Sequence, residues 1–71
     1  MNEYTIVLTW DDEVSVWVAV NDDIPIALES ASLDTLIERV RNAAPELFEL
    51  NGKNHANAIL HFVMERQTVL A

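Results

Sequence analysis

Residues Tyr4 to Val20, YTIVLTWDDEVSVWVAV, follow a period of two on either side of an acidic break. That period is a strand signature, because successive side chains of a strand point to opposite faces of a sheet. Tyr4, Ile6, Leu8 and Trp10 share one face of the first strand, against Thr5, Val7 and Thr9. In the second, Val14, Val16, Val18 and Val20 share a face, against Ser15, Trp17 and Ala19. With Asp11, Asp12 and Glu13 as the turn, Trp10 lies opposite Val14, Leu8 opposite Val16, Ile6 opposite Val18 and Tyr4 opposite Val20. This register gathers every large apolar residue of the hairpin except Val7 and Trp17 on one face. A slip of one residue sets Leu8 against Trp17 and mixes the faces. The hairpin therefore needs a cover on its valine face.

The rest of the chain supplies one. Met1–Glu3 is a short lead-in, and Asn21-Asp22-Asp23 is a second turn, rich in side chains that bond their own backbone. Ile24, Ile26 and Leu28 then alternate with Pro25, Ala27 and Glu29 as a third strand. Pro25 donates no ladder hydrogen bond, which places this strand at a sheet edge. Ser32 is a helix N-cap, with Ser30 as an earlier option, and Asp34 suits the first turn. Leu33, Leu36, Ile37, Val40 and Ala44 recur at helical spacing, with Glu38, Arg39, Arg41 and Asn42 facing out. Pro45 is expected to end or kink this helix after Ala44, and Glu46–Leu50 to add a turn or two before the Asn51-Gly52 stop. Ala58–Met64 alternates again and reads as a fourth strand, although Ile59, Leu60, Val63 and Met64 also fit a helix over 57–66. Apolar residues on both sides of that strand call for neighbours or cover on both. The predicted fold is α+β, β-β-β-α-β. A helical crossover lands the fourth strand parallel to the first, giving one mixed sheet in order 3-2-1-4 with the helix on one face.

Seventy-one residues are expected to make one domain, 1–71, without a separate DNA-binding domain. The absence of cysteine removes disulfide and thiolate chemistry. No basic leader precedes an apolar core in the first ten residues, and no apolar run is long enough to span a membrane. A cytoplasmic location is the expectation. Four Lys+Arg against twelve Asp+Glu give a net charge of −8. Such a surface repels phosphate backbones and suits either a basic partner or plain solubility.

Several segments are familiar together. The hairpin with its acidic turn, Trp17-Val18-Ala19, Asn21-Asp22-Asp23-Ile24-Pro25, Ser32-Leu33-Asp34 and Ala44-Pro45-Glu46-Leu47 with Glu49-Leu50-Asn51-Gly52 resemble a small branch of the HicB-like family. The resemblance covers nearly the whole chain. It implies a partial ribonuclease-H-like fold and a non-enzymatic role as a type II antitoxin that binds HicA, a small basic RNA-cleaving toxin. Ile26 stands where the family usually has glycine, and the helix-turn-helix or ribbon-helix-helix segment of many HicB antitoxins has no counterpart after the fourth strand. Operator binding is therefore not implied.

Trp17 stands out as a candidate contact. In the register above it points away from the helix with Val7, Ala19 and Ala27, and a large aromatic on an open sheet face marks an interface with a partner or a second copy. The bland alternative is that the fourth strand or the tail folds over it. Asp11-Asp12-Glu13 and Asn21-Asp22-Asp23 could meet a basic partner or a cation, but solvated turns are the commoner explanation, and neither has calcium-loop spacing. A ribonuclease-H-like fold directs attention to Asp11 or Asp12, Glu38 and Glu65 as metal-binding carboxylates, yet Glu38 faces away from the sheet. His55 and His61 have neither cysteines nor a ligand spacing for zinc. No cofactor or catalytic site is expected. Two functions stay open: an antitoxin-like binding module, and a self-associating domain that pairs through the Trp17 face or an exposed edge strand; a homodimer or higher homo-oligomer is expected under either, the dimer by default.

Overall fold

Four strands and one helix follow one another along the chain: β1 (Glu3–Asp11), β2 (Val16–Val20), β3 (Leu28–Ser30), α1 (Leu33–Leu50) and β4 (Ile59–Glu65). The structure is a computed structural model, describing residues 2–71; of the lead-in, Met1 lies outside the described residues. The sheet runs in the order β3-β2-β1-β4, with β2 antiparallel to both its neighbours and β4 parallel to β1. That is the expected mixed sheet and crossover, and the strand reading of residues 59–65 holds over the helical one.

The hairpin register differs from the expected one. Val7 pairs with Val20, Leu8 with Ala19, Trp10 with Trp17 and Asp11 with Val16. The loop is therefore Asp12–Ser15, one residue longer than the acidic triplet and shifted toward the second strand. Ser15 takes a left-handed conformation, φ 55°, which closes the four-residue loop. The Asp11 carboxylate accepts from the Glu13 N–H at 3.0 Å. Relative to the expected pairing, β2 has slipped by an odd number of residues, so its faces are exchanged. Trp17 and Ala19 point into the core, and Val16, Val18 and Val20 point away from the helix.

The physical reason is the indole. Trp17 is 7% exposed and stacks edge-to-face on Trp10, with ring centroids 5.3 Å apart and planes at 64°. An aromatic pair of this geometry adds about 0.5–1.5 kcal/mol to the area it buries. Exchanging the faces buries that ring at the expense of Val14, which stands 60% exposed in the turn.

The third strand begins later than expected. Ile24 and Ile26 are buried but lie in an irregular segment before β3. The Asn21 side chain stabilises that segment. Its Oδ1 accepts from the N–H groups of Asp23 and Ile24, each at 2.8 Å, while its Nδ2 donates to the Thr5 carbonyl at 2.7 Å. One side chain thus finishes the β1–β2 ladder and shapes the next turn.

Helix α1 starts at Ser32, whose hydroxyl accepts from the Thr35 N–H at 3.3 Å. Leu36, Val40, Ala44 and Phe48 are all buried and, at intervals of four, form one stripe over the sheet. Phe48 meets Tyr4 of β1 edge-on at 4.8 Å. Pro45 neither ends the helix nor divides it, because α1 runs unbroken through it to Leu50. Pro45 has no N–H for the Arg41 carbonyl and its ring crowds that carbonyl, but both residues are exposed, so the carbonyl is open to solvent. Gly52, φ 67°, stops the helix. Its N–H donates to the Glu49 carbonyl at 3.1 Å and that of Lys53 to Phe48 at 2.8 Å, a Schellman motif.

Candidate protein-interaction surface

With the helix on one face, the other face of the sheet is open, and the register states what stands on it. Val7 of β1 lies directly between Val20 of β2 and Val63 of β4. These three valines form a continuous row across three strands, with Val20 44% and Val63 48% exposed. Val18 lies beside Thr9 in the next row, and Val16 beside Asp11. Directly opposed side chains on one face are in contact, so the row is one apolar patch rather than scattered residues.

Carboxylates ring the patch. Asp11 closes the β1–β2 end, Glu65 pairs with Thr9, Glu29 pairs with Val18, and Glu3 pairs with Ile59 on the same face. Among the described residues, no Lys or Arg belongs to the strand positions of this face. His61, beside Thr5 on this face, has its Nε2 2.9 Å from Glu3 Oε1. Two shallow concavities share Val20. One, of ≈ 370 Å³, reaches Glu3, Asp22 and Asp23, and the other, of ≈ 450 Å³, reaches Asp11 and Asp12. The surface is apolar at its centre and negative at both ends.

The three arginine side chains are employed elsewhere. The Arg39 guanidinium donates to the Glu29 carbonyl at 2.8 Å, and Arg41 pairs with Glu38 at 3.4 Å. Arg66, just past β4, places its guanidinium 4.3 Å from the Trp10 ring centroid and 5.7 Å from that of Trp17. The Trp10 indole N–H donates to Asp12. Arg66 thus caps the aromatic pair at the end of the core, a cation–π contact of about 0.5–1 kcal/mol.

Of the four residues expected on the open face, Val7 is there. Trp17 and Ala19 are corrected to the core by the odd register slip, Ala19 being 0% exposed. Ala27 is exposed but precedes β3 instead of lying within it. Val18, Val20 and Val63 are surface residues that the sequence reading misses. Their period-two signal is plain, but it does not say which face of β2 turns inward. The carboxylates weighed for metal binding are dispersed: Glu38 is on the solvent side of α1, whereas Asp11 and Glu65 sit on the open face. Among the described residues, no group of three or more His, Asp or Glu could hold a metal ion. His55 lies 3.5 Å from Glu49 at the far end of α1, away from His61. No helix of the described residues is long and apolar enough to cross a membrane.

No curated protein matches the chain. A solved structure does: a hypothetical protein from the extremely thermophilic bacterium Thermus thermophilus is 32% identical, with 99% of each chain covered and a TM-score of 0.74. A family model for a domain of unknown function, DUF1902, matches residues 3–71. The strands, the helix and the open face all fall within that match, and the chain belongs to the DUF1902 family.

Proposed function

We propose that this chain is a non-enzymatic protein-binding module whose open sheet face receives a small basic protein, in the manner of a HicB-like antitoxin and its RNA-cleaving toxin. The observation that carries the reading is the Val20–Val7–Val63 row inside its ring of carboxylates. An apolar centre supplies affinity, and charges of one sign at the rim set the sign of the partner and speed its encounter. The net charge of −8 acts in the same direction. The HicB-like segments quoted above and the partial ribonuclease-H-like arrangement they imply support the same role.

The test is a tagged pull-down from the native cell, run in parallel with the native chain and with Val18→Glu. Expected is a stoichiometric small basic protein on the native chain only, whose RNA cleavage is suppressed by the native chain. Retention of that protein by Val18→Glu removes the open face from the interaction, and recovery of no basic protein removes the antitoxin reading. A second reading, a self-associating domain without a toxin, is favoured by the unpaired outer edge of β4.

A further inference from the structure

The two edges of the sheet are built differently. β3 is three residues long, follows Pro25 closely, and has its Glu29 carbonyl occupied by Arg39 from the helix. Short length, a nearby proline and a covering side chain are the usual means of closing an edge. β4 has none of them. It is seven residues long, ILHFVME, with no proline and one formal charge, Glu65, in a chain that is 23% charged. Among the described residues, no side chain bonds its backbone.

The backbone geometry says which groups are free. The Ile59 N–H donates to the Asn2 carbonyl at 2.8 Å, so Ile59 turns its amide toward β1. Amides alternate sides along a strand. His61 and Val63 therefore also bond β1, while Leu60, Phe62 and Met64 present N–H and C=O groups outward. Each face of that edge carries an exposed apolar side chain, Val63 on one at 48% and Met64 on the other at 55%.

We propose that this edge pairs with itself: two copies join their β4 strands antiparallel about a two-fold axis, making one continuous sheet from two four-stranded ones. A two-fold antiparallel pair is self-complementary by construction. Pairing along the whole strand puts Phe62 opposite Phe62 and Leu60 opposite Met64 of the second copy. All three outward residues then meet outward residues, and each such pair exchanges two N–H···O=C bonds. On the helix side Met64 covers Leu60 of the second copy. On the other side His61 faces Val63 and Ile59 faces Glu65, so no like charges are opposed despite −8 on each chain. A basic partner is not needed for this contact, which uses the edge and leaves the Val7 face free.

Two measurements on the purified chain test it. Sedimentation equilibrium is expected to give about 16 kDa, twice the 8.0 kDa chain. Amide exchange followed by NMR is expected to show Leu60, Phe62 and Met64 protected like His61 and Val63. Met64→Pro removes an outward N–H without touching the β1 ladder. It is expected to raise the dimer dissociation constant at least about tenfold through lost and unsatisfied edge bonds. Its far-UV circular dichroism should stay native, and Val20→Glu should leave the dimer intact. A monomer at about 100 µM overturns the proposal, as does free exchange at those three amides. A folded Met64→Pro chain that still dimerises as tightly overturns it too. The exchange result on the unmodified chain decides alone if that variant does not fold.

Discussion

Replacing Trp17 with alanine gives the sharpest test of the hairpin register. If the indole belonged to the open face, its loss would cost the fold little. In the structure it is 7% exposed, stacks on Trp10 and lies under the Arg66 guanidinium. Removing a buried Trp costs about 3–5 kcal/mol. At roughly 0.05–0.15 kcal/mol per residue, a chain of 71 residues has about 4–11 kcal/mol in total. The variant is therefore expected to lose about a quarter or more of its stability and to be partly unfolded at the low end of that range. Urea denaturation followed by far-UV circular dichroism, at one protein concentration, reads this directly. With a slope of about 1 kcal/mol per molar for a small domain, the midpoint should fall by roughly 3 M or more. Val18→Ala, on the open face, is the control and should move it by less than about 1 M. A Trp17→Ala midpoint as close to the native one as that of Val18→Ala would refute the register and return the indole to the surface.

Three further substitutions probe the helix and the aromatic cap. Pro45→Ala restores an amide inside α1; set against a gain of up to about 3 kcal/mol in helix propensity is about 0.4–1 kcal/mol of lost unfolded-state restriction. A higher urea midpoint is expected, and a lower one would mean that the ring itself is packed. Gly52→Ala meets no atom within 4 Å, so only the left-handed backbone at φ 67° opposes it. The expected cost is about 1–2 kcal/mol, seen as a fall in Tm of at least about 4 °C. Arg66→Ala should cost about 0.5–1 kcal/mol and change the tryptophan emission, because the guanidinium lies over Trp10. Unchanged emission would show that Arg66 does not occupy the ring face in solution.

The topology and the helix ends are legible because single residues encode them. Ser32 caps α1, Gly52 closes it, and the apolar stripe from Leu36 to Ala44 extends unchanged to Phe48. The order β3-β2-β1-β4 follows from two antiparallel connections and one helical crossover. Pro45 misleads as a stop signal because a proline at an exposed helical position costs one hydrogen bond, which the continuing stripe on either side outweighs. The start of β3 is hidden because Ile24 and Ile26 are buried without being paired. Alternation reports burial on one side, and the Asn21 turn supplies that burial without a ladder.

The register is not legible because the hairpin carries two apolar faces. Either set of β2 residues can be inward, Val14-Val16-Val18-Val20 or Trp17 with Ala19. Counting apolar residues favours the valines, since more of them are hidden at once. Volume decides the other way. Beneath a helix bearing Leu36, Val40 and Phe48, one indole beside a small Ala19 fills the space that a row of equal-sized valines would not. The consequence reaches function. A chain that is 51% apolar has more such residues than one core layer holds. The surplus stands as an ordered row, Val20–Val7–Val63, and as an outer edge on β4 whose one formal charge is at its end. A monomer would gain by placing lysine or glutamate within either site, and neither carries one there. The same register that buries Trp17 therefore sets Val16, Val18 and Val20 on the open face beside Val7 and Val63, while the outer edge of β4 is fixed separately by its parallel pairing with β1.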